Sequence, residues 1–211
     1  MTNKELKTME KKYKIISIII LILLLGIMIF AGINYKNNLE NKEFKEILKN
    51  ASNIENITDK NYKELYNDTI LNLTEFKLVT QSILDNGSKE TDILTKFKDK
   101  TSNETQKEYL EIEIKRLQTE QRAHEKLVEN GKEYERYLNG EITASRYLER
   151  SNTLNNDSER ADNELGMIKD EAITYIQNHQ DLNNTITELN LDEDFYLYEL
   201  DGRGNGKIYI K

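Results

Sequence analysis

An all-α fold is predicted for this chain: a single N-terminal transmembrane helix, then an extracytoplasmic helical bundle or antiparallel coiled-coil hairpin, with a small C-terminal β-hairpin. Three observations carry that expectation. Residues Ile15 to Ile33 form an uncharged apolar run, IISIIILILLLGIMIFAGI. The chain has 211 residues and no proline, a residue that loop-rich folds use in turns and long helices exclude. An unbroken four-three alternation of apolar and small residues runs from Tyr147 to His179.

The apolar run is about 19 residues long, the length an α-helix needs to cross the hydrocarbon of a bilayer. A cleaved signal peptide has a shorter apolar core followed by a small-x-small site, and Ile29 and Ala31 make a poor one. A buried core helix would carry polar residues along one face, whereas only Ser17 interrupts this run. A retained signal-anchor is the expected state. A lipoprotein anchor is excluded, because its lipid is attached to cysteine and the chain has none. Lys4, Lys7, Lys11, Lys12 and Lys14 precede the run, while Lys36, Lys42, Lys45 and Lys49 follow it at greater distance. Lysine and arginine bias sets topology, so residues 1–14 are expected to be a short cytoplasmic tail and 15–33 the span in the cell membrane. Residues 34–190 are then an extracytoplasmic helical domain and 191–211 a β-hairpin tail.

Charge narrows the partner classes. The net charge is −8; the five lysines and two glutamates of the tail contribute +3, which leaves −11 for residues 34–211. Such a domain lacks the clustered lysine and arginine that nucleic acid rewards, so no nucleic-acid partner is expected. A protein, a cell-wall polymer or a small ligand fits better. Without cysteine there are no disulfides, so packing must hold the domain together. Abundant Lys, Asn, Ile, Glu and Tyr suggests an AT-rich, low-GC bacterial genome.

Taken in order, Phe44, Ile47, Leu48, Ala51 and Ile54 make one helical stripe, and the weak helix formers between Ile54 and Asp59 predict a turn capped by Thr58 or Asp59. Leu65, Tyr66, Ile70, Leu73, Phe76, Val79, Thr80 and Ile83 recur at threes and fours, giving a second helix ended by Asp85-Asn86-Gly87-Ser88. Ser88 would cap a short third helix carrying Ile93, Leu94 and Phe97. Thr101 and Glu104 have capping-box spacing and would open a long helix to Leu138. Asn139-Gly140 stops it, and Thr143 starts the last helix, expected to run unbroken from about 143 to 180. Its seam of Tyr147, Ser151, Leu154, Ser158, Ala161, Leu165, Ile168, Ala172, Tyr175 and His179 passes straight through the polar cluster Asn155–Ser158, as in a coiled coil. The tight turn makes the preceding helix its partner, in an antiparallel hairpin with arms of about 50 Å. In the tail, Phe195–Leu200 and Lys207–Ile210 flank a Gly-rich turn and read as a β-hairpin.

The chemistry-bearing residues are few. Asp201-Gly202-Arg203-Gly204-Asn205-Gly206 is similar to a calcium loop, but Arg203 puts a cation where a carboxylate belongs and the loop's last glutamate is missing. His124 and His179 lie on long helices outside the Glu-x-x-His spacing of di-iron bundles, and Glu120, one turn before His124, is one of many acids. Thiol chemistry is ruled out, and no nucleophile elbow, zinc helix or phosphate loop occurs. No catalytic, cofactor-binding or metal-binding residue is expected, and no cofactor. Tyr134, Tyr137, Tyr147 and Tyr175 have two readings, an aromatic binding surface or packing; packing is the expected one, with the first three sealing the hairpin's end. The expected function is that of a non-enzymatic, single-pass cell-envelope protein whose external domain binds another protein or a second copy of itself. The alternatives are a ligand-sensing bundle that signals through a membrane partner, since its cytoplasmic tail is short, and an immunity or exclusion protein.

Overall fold

The computed structural model describes the backbone of residues 3–66 and 72–191, and the side chains of 20–65 and 72–191. Five helices follow one another: α1 (Asn3–Tyr66), α2 (Leu73–Lys98), α3 (Glu104–Leu138), α4 (Ala144–Asn178) and α5 (Gln180–Glu188). The chain divides into two units, Met1–Glu43 and Phe44–Lys211. The all-α expectation holds among the described residues. The expected β-hairpin, including the Asp201 turn, lies outside them beyond Leu191.

In the first unit, α1 is long and apolar enough to cross a membrane near the N-terminus. Its side chains from Ile20 to Phe30 are exposed on every side, Phe30 at 66%. A helix satisfies its own backbone hydrogen bonds, so an apolar one suits hydrocarbon surroundings.

The second unit is a bundle of α2, α3, α4 and the part of α1 from Phe44 onward, with α5 packed on the same core through Leu182 and Ile186 and paired to α1 through Lys45 and Glu188. Cross-helix pairs give the directions. Lys115–Glu171 (3.1 Å), Arg122–Glu164 (3.0 Å) and Arg150–Glu133 (2.6 Å) join α3 to α4, with numbers falling on one helix as they rise on the other. That is the predicted antiparallel hairpin. Gln121 to Ser88 (3.1 Å) and Lys77 to Glu135 (2.6 Å) show that α2 also runs antiparallel to α3. Arg116 to Glu55 (3.4 Å) and Tyr62 to Glu120 (3.0 Å) set α1 parallel to it. The larger core gathers Phe44 and Leu48 of α1, Leu94 and Phe97 of α2, Tyr109 and Leu110 of α3, Ile168 of α4 and Ile186 of α5. A smaller one holds Tyr62, Leu65, Phe76, Val79 and Ile83.

The hairpin turn forms as predicted. Gly140 takes a φ of 73°, a left-handed conformation that favours glycine. The Thr143 side chain accepts from the Arg146 amide at 3.3 Å, capping α4. The seam of α4 is also real: Ala161, Leu165, Ile168 and Ala172 are buried, and the helix continues through Asn155–Ser158. It stops at His179, two residues short of the expectation, and α5 ends in a Schellman arrangement with Asn190 at φ 58° and the Leu191 amide on the Ile186 carbonyl at 3.2 Å.

Four further boundaries differ from those the sequence predicts. The stripe expected to form one second helix is split: Leu65 and Tyr66 belong to α1, and α2 opens at Leu73 behind a capping box, Asn72 accepting from the Glu75 amide at 3.0 Å and the Glu75 side chain from the Asn72 amide at 3.1 Å. The other three differ because a polar residue finds a tertiary or helical partner. No turn interrupts α1 between Ile54 and Asp59; Thr58 does not cap but donates back to the Ile54 carbonyl at 3.1 Å, a bond open to threonine inside a helix. Asp85-Asn86-Gly87-Ser88 does not end α2, and no separate third helix begins there. Gln81 donates to Asp85 at 2.9 Å, and Ser88 accepts from Gln121. Gly87 lets that glutamine lie close, since a Cβ there would be 3.1 Å from its Nε2. The cap of α3 is Asn103, whose Oδ1 accepts from the Gln106 amide at 3.3 Å, with Thr101 accepting from the Asn103 amide at 3.2 Å. Helix α3 also has a glycine set by packing. A Cβ on Gly131 would lie 2.4 Å from Phe76 Cε1, so the α2 ring occupies the space a side chain would fill.

Candidate functional site: a carboxylate cage around Arg116

Helix α3 carries Glu113, Arg116, Glu120 and His124 at threes and fours, which puts all four on one face. That face turns inward. Glu55 of α1 and Glu90 of α2 meet it, so that four carboxylates surround one guanidinium. Arg116 Nε donates to Glu113 at 2.9 Å, and Nη1 donates to Glu120 at 3.2 Å and Glu55 at 3.4 Å. Nη2 stands 3.9 Å from Glu90. Glu90 and Glu113 are each 1% exposed and Arg116 7%.

One cation cannot neutralise four anions in a dry interior. The cage answers this with protons. Glu55 and Glu90 meet the same guanidinium, and carboxyl groups crowded together in a dry site hold protons more tightly than in water. Burial pushes the Glu55 carboxyl up to about 7, with Arg116 opposing and Glu120 and Asp59 adding to the rise. Burial, then the neighbouring Glu55, holds Glu90 well above the carboxylate range, and burial also raises Glu113. Arg116 is held more firmly charged, since Glu55, Glu113 and Glu120 outweigh its desolvation.

Above the cage the network continues. The Tyr62 hydroxyl donates to Glu120 at 3.0 Å and faces the His124 ring, 3.0 Å from Nδ1, with Nε2 in hydrogen-bond contact as well. With the hydroxyl proton on Glu120, the imidazole supplies an N–H to the phenol oxygen. A cavity of about 40 Å³ lies beside His124, bounded by Leu154, Asn155 and Ser158 of α4, room for a water molecule. Chemically the arrangement can store and exchange protons. Among the described residues no group of His, Cys, Asp and Glu side chains is placed to hold a metal ion.

The residues that stand out in the sequence are distributed widely. His124 and Glu120 do come together, joined by Tyr62, a residue the sequence did not single out. His179 lies at the α4–α5 junction, its Nδ1 donating to the Tyr175 carbonyl at 2.7 Å and its ring stacked on Tyr175 at 4.1 Å. Tyr175 donates to Glu108 at 2.9 Å, and burial followed by Glu108 pushes its phenol up to about 12. It is therefore separate from the other tyrosines. Tyr134, Tyr137 and Tyr147 do cluster at the hairpin's end, with ring centroids 5.6 to 6.3 Å apart. Sequence reasoning missed Glu55, Glu90, Glu113 and Arg116. The available signal was their position, since Glu113, Arg116 and Glu120 fall in the same helical stripe as the apolar Leu110 and Leu117.

No family model, curated protein or solved structure matches the chain. The functional reading rests on the chain's own geometry.

Proposed function

We propose that this chain is a non-enzymatic, single-span membrane protein, with residues 1–14 in the cytoplasm and the helical domain outside it, acting as a protein-binding subunit of a bacterial envelope complex. The observation that carries the reading is the end of the α3–α4 hairpin. There Tyr137 stacks on Tyr147 at 5.7 Å, while the adjacent Leu138 and Leu148 are 53% and 58% exposed. Aromatic and apolar side chains held rigid by a turn, within a charged rim of Arg136, Glu141 and Arg150, have the composition of a protein-recognition patch. The fitting occupant is a protein surface with an apolar recess and polar edges. The anchor supports the same reading, because it confines the domain to encounters along one membrane.

Crosslinking in the native membrane tests it. A photoreactive residue at position 137 of the full chain is expected to give one discrete protein adduct, absent from a control at the exposed Glu159, and lost when Leu138→Glu and Leu148→Glu are combined. An adduct pattern identical at both positions, or none at 137, overturns the assignment.

A further inference from the structure

The cage around Arg116 ties three helices of the bundle together. Its carboxylates come from each of them: Glu55 from α1, Glu90 from α2, Glu113 and Glu120 from α3. Oε1 of Glu90 and Oε1 of Glu113, both shut off from solvent, have no hydrogen-bond partner. A buried anionic oxygen without a donor is costly, whereas a carboxylic acid carries its own proton. Arg116 and Glu120 of α3 act on both Glu55 and Glu90, and Asp59 of α1 acts on Glu55; Glu113 shares the same guanidinium, and Tyr62 and His124 stand beyond Glu120. Among these described groups the permanent positive charge is that of Arg116.

We propose that this cage is a proton-operated lock: protons taken up by Glu55 and Glu90 draw α1, α2 and α3 together, and their loss sets three helices repelling across one guanidinium. The ligand is the proton itself, and the device is independent of which protein meets the hairpin's end. The linkage has a definite sign. A carboxyl whose affinity for protons is higher in the folded state gives full stabilisation below its unfolded pKa and loses it as pH rises through the folded one. For Glu55 that window opens at the ordinary 4.5 and runs past about 7; Glu90 and Glu113 act in the same direction. The domain is thus tightened by mild acid and loosened by mild alkali.

The test uses the full chain in detergent micelles, with thermal unfolding followed by helical circular dichroism at about pH 5.5 and about pH 8.5. The midpoint is expected to be roughly 5–10 °C higher at the acid pH. Glu90→Gln, which keeps the shape and cannot ionise, is expected to raise the midpoint at the alkaline pH and remove at least half of the difference. Glu159→Gln, on the exposed face of α4, is expected to leave it unchanged. A wild-type midpoint that is flat or rises with pH overturns the proposal, as does a Glu90→Gln protein with the full wild-type difference. Should that variant fail to fold, infrared spectra of the wild type decide. A buried carboxylic-acid band that persists at neutral pH and fades above it is expected, and its absence overturns the lock.

Discussion

Replacing Arg116 with methionine is expected to destabilise the bundle by about 3–5 kcal/mol at neutral pH, the cost of leaving buried charges without their partner. The guanidinium touches Glu113, Glu120 and Glu55 and stands near Glu90, and methionine keeps much of its length while supplying no charge and no donors. Each of the three carboxylates it serves loses a hydrogen bond in a dry site, and the repulsion among those still ionised is uncovered. In a domain of this size that corresponds to a fall of about 10 °C or more in the unfolding midpoint. Acid should restore much of the loss, because protonated carboxyls neither repel nor need the cation. Chemical denaturation of the full chain at two pH values reads both effects. A variant within about 1 kcal/mol of wild type at neutral pH would mean that the four carboxylates are not held around Arg116.

A loss of similar size is expected at the opposite chemical extreme, in the apolar core. Phe97 in the last turn of α2 is almost wholly buried. Its ring stacks on Phe44 of α1 at 5.8 Å, and Phe44 meets Tyr109 of α3 edge-on at 6.2 Å. Phe97→Ala removes one member of this contact between three helices and leaves a cavity that helix backbones cannot collapse into, for a loss of about 3–5 kcal/mol. Phe97→Leu fills most of the volume and is expected to cost less than half as much. Equilibrium unfolding in urea measures the pair. Because this loss comes from missing volume and not from charge, it should be nearly the same at acid and alkaline pH, unlike that of Arg116→Met.

The contrast between these two sites shows what the sequence makes legible. Periodicity places the apolar residues: the seam from Ala161 to Ala172, the turn at Asn139-Gly140 and the cap at Thr143 are local signals, and the fold obeys them. The same logic fails where a residue's partner lies on another helix. Gly87 and Ser88 look like a helix end, yet the Gln121 side chain packs on one and bonds the other, so α2 runs through. Glu113 and Glu120 look like solvated charges because glutamate on a helix face usually is. Only the approach of Glu55 and Glu90, distant in sequence from α3, turns them into an interior cage. The tyrosines at the hairpin's end were readable because the turn that gathers them is itself local.

Central to the proposed function is a helical domain that stands on the outer side of the membrane. The chain has no cysteine, so a single Lys132→Cys substitution on the exposed surface of α3 gives a thiol signal from that position alone. A membrane-impermeant maleimide added to intact cells is predicted to label it as fully as after lysis. Labelling that appears only once the membrane is opened would place the domain in the cytoplasm and contradict the account.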